Sequence, residues 1–448
     1  MTKPDVFIVG GARTPMTGYV GALKDVSAIE LGAIASRGAF ERTGVKPEWI
    51  DHAVFGNVLQ TSADAIYGAR HVALKAGVPV DVPALTVNRL CGSGIQAAVS
   101  GAQMIQLGEA TLVLTGGIES MSQAPHVIRG LRSGLKLGQG KLEDSLWEAL
   151  VDTYCGCPMA ITAENCAAKY GITREAQDCY ALRSQQLAAA AWRDGRFVEE
   201  IVPVEIKTRQ GVQVIDRDDH LRPETTMDGL TRLPPAFKKD GTVTAGNASG
   251  IVDGGAALIL ASREAVDRHQ LNPLGRLIAW ASTGVDPTLM GMGPAPASRK
   301  ALAQAGLSLD DIDLVEVNEA FAGQYLAVEK ELGLTRDRVN VNGGAIALGH
   351  PLGASGVSPW RLTPAADASS SAAPPSTMPL ALPAVTQPFL LKAAGSFASP
   401  SIVDSGRMWS SRAKSSTPLR DLISTGTTSS SRRPSFQALS ASCWLRIA

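Results

Sequence analysis

The 448-residue sequence has no excess of either charge: 42 Lys and Arg stand against 42 Asp and Glu. Without a basic or acidic surplus there is no electrostatic footprint for nucleic acid or for an anionic membrane surface, and neither is expected as a partner. Cysteine is sparse, six in all and irregularly spaced, which argues against a disulfide scaffold and for a reducing compartment. No apolar run approaches the roughly 20 residues of a membrane span. The start, Met1-Thr2-Lys3-Pro4-Asp5, leads directly into a strand pattern, with no leader visible. These absences define the expectation of a soluble, cytoplasmic protein.

A further absence is local. Residues 357–448 contain no Glu, only Asp367, Asp404 and Asp421 as acids, and 20 Ser against nine Lys and Arg. Runs such as Ser369-Ser370-Ser371, Pro374-Pro375 and Ser429-Ser430-Ser431 have no sustained period. Such a segment cannot bury enough apolar surface to order itself, and it is expected to be largely disordered. The abrupt change after Gly356 is the kind that an altered reading frame leaves.

What is abundant is glycine, 45 residues, in a chain that is 45% hydrophobic. That length allows two or three domains with a large core. Asp5 to Gly10 reads as a buried strand. Ser27 with Glu30 three residues later is a capping box that opens a helix, and Gly44 closes it. Ile50 to Leu59 reads as a strand, Asp64 to Lys75 as a helix, and Thr111 to Thr115 as another strand. Strands alternating with helices predict an α/β fold with a mostly parallel sheet covered on both faces. From about Glu119 to Ala245 prolines and charges interrupt that rhythm, as in an inserted loop or lid domain with helices near 160–195. Thr242 to Leu260 returns to the first sheet, and a second β/α series begins near Leu277.

The second series echoes the first. Ile312-Asp313-Leu314-Val315-Glu316-Val317-Asn318 resembles Ile50-Asp51-His52-Ala53-Val54-Phe55-Gly56-Asn57, and Val341-Asn342 precedes glycines as Val87-Asn88 precedes Cys91-Gly92. A duplicated domain is the economical reading. The expected divisions are 1–118 with 246–272, then 119–245, 273–356 and 357–448.

The chemistry centres on Val87-Asn88-Arg89-Leu90-Cys91-Gly92-Ser93-Gly94. A short β-rich run precedes it and a small, apolar helix pattern follows, so Cys91 falls at a strand-to-helix junction. A helix N-terminus favours an anion, and there a cysteine can drop from about 8.5 to roughly 3.5–7.5. Cys91 is therefore a candidate nucleophile, although a small buried thiol at a tight turn fits the same pattern. His350, in Gly349-His350-Pro351-Leu352-Gly353, is a candidate base and oxyanion donor, or else a solvated loop residue. Asn318-Glu319-Ala320-Phe321 ends a strand, where an amide could orient a water. Cys155-Gly156-Cys157 has no third ligand at metal spacing, so no metal is expected.

Together these segments resemble the thiolase family. Asn88 to Gly94, Gly116-Gly117-Ile118-Glu119-Ser120-Met121-Ser122, Gly241 to Ser249, Asn318 to Phe321 and the His350 loop fit in order over about 5–356, closest to the 3-ketoacyl-CoA thiolases. The resemblance implies duplicated βαβαβαββ halves in a five-layer αβαβα arrangement, a homotetramer or homodimer, and coenzyme A as substrate with no cofactor. It implies Cys91 as acyl-carrying nucleophile, His350 as its base, and Asn318 as holder of an oxyanion-hole water. Arg222 and Ser249 would contact coenzyme A, with Met159, Phe237 and Phe321 lining its tunnel. Pro158 stands where short-chain relatives often have His, which leans toward longer or mixed chains.

One departure from the family stands out. Thiolases end with a second catalytic Cys in a Cys-x-Gly loop, whereas here only Cys443 follows His350. The second half is thus expected to be incomplete, without its closing strands. An impaired acyl-CoA-binding protein is the alternative to an active acyltransferase. A ketoacyl-synthase-type condensing enzyme, which normally uses two histidines, fits the Asn318 motif less well.

Overall fold

The computed structural model describes residues 4–357 and the backbone of 379–381 and 389–393. Its centre is a ten-stranded sheet. The strands that matter for the site are β1 (Val6–Arg13), β2 (His52–Gly56), β3 (Ala84–Val87), β4 (Leu112–Glu119), β5 (Val252–Ser262), β6 (Gly275–Trp280), β7 (Leu314–Val315), β8 (Pro379–Ala381) and β9 (Phe389–Ala393). Their spatial order is β7-β8-β9-β6-β1-β5-β4-β2-β3, with the short strand Thr17–Gly18 added beside β5.

The period of two along each strand sorts residues between the two faces. Phe7, Val9, Leu112, Leu114 and Ile259 point to one face. There they meet α1 (Ala28–Thr43) and α2 (Gly68–Lys75). Val6, Ile8, Val113, Leu258 and Leu260 point to the other, against Ile95, Ala98, Val99, Ala102 and Ile105 of α3 (Ser93–Leu107). Strand β5 lies between β1 and β4 and is buried along nearly its whole length. Each large aliphatic side chain on it contributes about 1.5–3 kcal/mol. Helix α1 starts as its capping pattern predicts: Ser27 accepts from the Glu30 N–H, and Gly44 ends the helix at φ 70°.

The sheet is mixed, which corrects the expectation of a mostly parallel one. Parallel pairing is confined to β2·β3, β2·β4 and β7·β8 among the described strands. The centre is antiparallel: β1 pairs with β5 and β6, and β4 with β5. The reason lies in the connections. A parallel neighbour needs a crossover, whereas the long insert from Ser120 to Ile251 brings the chain back antiparallel. That insert carries α4 (Met159–Tyr170) and α5 (Arg174–Arg193), near where the sequence placed helices, and three small hairpins.

The second half has its own core. Tyr180 of α5 and Tyr325 of α7 (Ala322–Leu332) stack at 4.0 Å, among Val315, Val317, Ala279, and Ala301 of α6 (Pro294–Ala305). The expectation that the closing strands are missing is overturned for two short stretches. β9 pairs antiparallel with β6 from Gly275↔Ala393 to Trp280↔Phe389, and β8 runs parallel to β7. Pro379-Leu380-Ala381 and Phe389-Leu390-Leu391 are apolar islands in a serine-rich sequence, and bulk composition hid them. The remaining expectations for 357–448, disorder and Cys443 included, concern positions that lie almost wholly outside the described residues.

Candidate active site

Strand β3 leaves the sheet through a turn that few side chains adopt. Leu90 sits at φ 48°, in the left-handed region, with its side chain exposed. Such a conformation costs a non-glycine residue of order 1–3 kcal/mol and is retained where the surroundings impose it. Here Ser93 imposes it: its hydroxyl accepts from the Arg89 N–H at 2.8 Å and donates to the Leu90 carbonyl at 2.6 Å. The turn delivers Cys91 to the start of α3, as the sequence predicts.

The His350 turn lies directly against this helix. A Cβ placed on Gly94 would come 2.8 Å from the Ser355 carbonyl and 2.9 Å from that of Gly353, so the approach requires glycine. Cys91 itself packs in a small apolar cluster with Leu59, Met121, Leu146 and Leu352. The duplication therefore does what the sequence alone could not show: it brings the Cys91 and His350 loops into contact.

His350 is buried, and its two ring nitrogens have different neighbours. Nδ1 lies 2.5 Å from Ser355 Oγ, and Nε2 lies 3.5 Å from Asn318 Nδ2. In the tautomer with its proton on Nδ1, the ring donates to Ser355 and turns Nε2, as an acceptor, toward the Asn318 amide. Behind the ring, the His350 N–H donates to the Gly250 carbonyl at 3.0 Å. Ser249 donates to the Ala320 carbonyl at 2.9 Å, and Ala322 to that of Asn247 at 2.8 Å. The 247–250 strap thus ties His350 to the Asn318–Phe321 loop.

The charge state of Cys91 differs from expectation. Burial, and after it the Glu119 carboxylate, push the thiol up to about 12, although the residue keeps some contact with solvent. Desolvation and a nearby negative charge outweigh the helix dipole. That shift favours the neutral thiol at neutral pH.

The remaining sequence-derived positions are distributed around this centre. Phe321 packs with Ala160, Ala163 and Val243, next to Met159 at the start of α4. Arg222 is linked to the His350 loop through Gln185, which accepts from the Arg222 N–H at 2.8 Å and donates to the Ile346 carbonyl at 3.3 Å. Its guanidinium bonds the Asp219 carbonyl. Phe237 stands on the insert with 44% of its surface exposed. Sequence reasoning missed Ser355, and it missed His220, whose ring abuts Gly250 behind His350. It also quoted Glu119 and Glu319 within motifs without giving them a role.

The family models "Thiolase, N-terminal domain" and "Thiolase, C-terminal domain" match residues 6–264 and 271–363. The chain belongs to the thiolase family. It is therefore, by family, a thiolase-type acyltransferase with the thiolase fold, a mixed α/β sheet flanked by helices. Among its relatives, the human protein named 3-ketoacyl-CoA thiolase, mitochondrial, is 56% identical over 352 residues, covering 78% of this thiolase and 89% of the relative. An acetyl-CoA acetyltransferase of Syntrophomonas wolfei is 48% identical over 361 residues, 80% of this chain and 90% of its own. The crystal structure of human mitochondrial 3-ketoacyl-CoA thiolase in complex with CoA superposes with a TM-score of 0.83 at 49% identity, covering 87% of this chain and 98% of that one. No helix among the described residues is long and apolar enough to cross a membrane. The mitochondrial name of the relatives does not support the expected cytoplasmic location.

Proposed function

We propose that this thiolase transfers acyl groups between 3-ketoacyl-CoA and coenzyme A through a covalent intermediate on Cys91. The observation that carries the reading is the close packing of the helix that starts beside Cys91 against the loop that carries the buried His350. His350 takes the thiol proton, and the Cys91 sulfur attacks the 3-keto carbon. The bond between C2 and C3 breaks, leaving the acyl chain on Cys91 and an acetyl-CoA carbanion that takes the proton His350 removed from the thiol. Coenzyme A then attacks the thioester, regenerates the thiol and leaves as acyl-CoA. Run backwards with acetyl groups, the same steps condense two acetyl-CoA to acetoacetyl-CoA.

Asn318 and His350 supply donors for one oxyanion, Asn318 through a water, and the Cys91 N–H serves the other. Ser249 and Arg222 contact coenzyme A, with Met159, Phe237 and Phe321 along its channel. The complex named for the human relative contains CoA, which supports the same ligand class here. The assembly is a homotetramer or homodimer, coenzyme A is a substrate, and no separate cofactor takes part. The test is consumption of a 3-ketoacyl-CoA in the presence of coenzyme A. Acetyl-CoA and a shortened acyl-CoA are the expected products of the intact chain, and none is expected from Cys91→Ala. Turnover by the variant at the wild-type rate would remove Cys91 from the mechanism.

A further inference from the structure

The loop that carries His350 is held at both ends by buried carboxylates, one from each half of the molecule. Glu119, the last residue of β4, is fully buried and collects four donors. Oε1 accepts from Leu59 N at 3.0 Å and from Asn57 Nδ2 at 3.1 Å. Oε2 accepts from Val58 N at 3.2 Å and from Gly353 N at 2.8 Å. Of these four, only Gly353 belongs to the second half, three residues after His350. At the other end of the loop Glu319, also fully buried, accepts from Ile346 N at 3.2 Å, Tyr180 Oη at 2.7 Å, Ser184 Oγ at 2.6 Å and Asn340 Nδ2 at 3.0 Å. Glu119 is also tied to the surroundings of Cys91, because Leu59, whose N–H it accepts, and Leu352, next to Gly353, both belong to the apolar cluster that packs against Cys91.

We infer that Glu119 is a positioning residue: its carboxylate fixes the His350 turn of the second half against the Cys91 turn of the first. The inference rests on the proposed roles of Cys91 and His350. Burial pushes the Glu119 carboxyl up to about 7 against the pull of its backbone donors; in its ionised form it only accepts, and all four partners are donors. An amide of the same shape must turn one N–H₂ toward a donor. That breaks either the Gly353 contact or the bonds to the β2 end, and leaves a buried donor unpaired. The titratable groups that face Glu119 are Cys91 on the β3–α3 turn and Asp253 on β5.

The experiment compares Glu119→Gln, Glu119→Asp and Glu319→Gln in the full chain. It measures kcat and KM with a 3-ketoacyl-CoA and the pH profile of Cys91 alkylation by iodoacetamide. A displacement near 1 Å in a catalytic group costs about 10² in rate. Glu119→Gln is therefore expected to lower kcat about 100-fold with KM changed less than threefold, and to move the Cys91 inflection to lower pH. Glu119→Asp keeps the charge but shortens the reach, so kcat falls while the inflection stays. Glu319→Gln lowers kcat without moving the inflection. An unchanged kcat in both Glu119 variants overturns the inference. So does a kcat loss that merely follows a lower melting temperature, with the inflection unmoved. If instead wild-type Cys91 takes up no acyl group, the functional reading fails; the shift of the inflection in Glu119→Gln still decides whether the carboxylate acts at the Cys91 turn.

Discussion

In the first half, β3 leaves the sheet through Asn88-Arg89-Leu90 into Cys91. In the second, Val339 leaves through Asn340-Val341-Asn342 into Gly343. The pairing matches, while the strained residue sits one position before Cys91 in the first turn and three before Gly343 in the second. Val339 bridges Val315 in parallel, as β3 pairs with β2, and a bridge between residues two apart closes each turn, Arg89 to Cys91 and Val341 to Gly343. Each turn forces a residue into the left-handed region, Leu90 at φ 48° and Asn340 at φ 47°. The difference is in what the turn presents. The first presents a thiol, partly exposed beside a small apolar cluster. The second presents no side chain at all, because a Cβ on Gly343 would lie 2.6 Å from the Ser184 carbonyl. Its chemistry is deferred to His350, beyond the short helix Ala345–Leu348. Duplication thus supplied two similar scaffolds, and the proposed reaction divides its nucleophile and base between them.

The comparison is broken most severely at the first turn. Cys91→Ala is expected to abolish acyl transfer, a loss of about 10⁴–10⁶ in turnover, since no other group in the unit can replace the nucleophile. Folding, measured by melting temperature, is expected to change little because the side chain is small and partly exposed.

The next largest effect lies on the deferred base. Because the Cys91 thiol is pushed up to about 12, its thiolate fraction at pH 7 is minute without a partner. His350→Ala is expected to slow Cys91 alkylation at pH 7 by about 10²–10⁴, with reactivity regained as pH rises toward that value. Asn318→Ala is expected to cost less, because the amide acts on substrate rather than on the thiol. The opposite ranking would exchange the two roles.

A smaller change sharpens the same contrast. Ser355→Ala removes the acceptor for His350 Nδ1 without touching the reacting atoms. A lost hydrogen bond of this kind is worth about 0.5–1.5 kcal/mol, so kcat is expected to fall about two- to tenfold with KM retained. A drop as deep as that of His350→Ala would make Ser355 part of the proton transfer itself.

At the second turn the effect is on stability. Gly343→Ala introduces a Cβ at φ 76° against the Ser184 carbonyl and is expected to cost about 1–3 kcal/mol. The remaining folded enzyme should turn over normally, and urea unfolding read against specific activity separates the two. A large activity loss at full stability would mean that the Gly343 turn is catalytic after all.

Much of this was legible in the sequence, for identifiable reasons. The Ser27 cap and the Gly44 stop are local signals, and the structure reproduces both. Cys91 at the junction and the echo between the halves were visible because a turn followed by glycines leaves a fixed pattern. Four things were not visible. The direction of strand pairing depends on how the 120–251 insert returns, which no local period encodes. β8 and β9 are three and five residues long within a serine-rich background. The upward push on the Cys91 thiol comes first from burial and then from Glu119, 28 positions away in sequence; the helix dipole, the one local signal, points the other way. Ser355 escaped notice because serine in a glycine-rich loop has no distinguishing spacing. Only the fold brings its hydroxyl to His350.

The claim that the first turn carries the acyl group is tested most directly by mass spectrometry of the intact chain after brief exposure to acetyl-CoA. A gain of one acetyl group is predicted, mapped to the peptide containing Cys91, abolished in Cys91→Ala and removed by added coenzyme A. An acetyl group distributed over Cys155, Cys157, Cys166 and Cys179 as well, or one that coenzyme A does not discharge, would contradict the account.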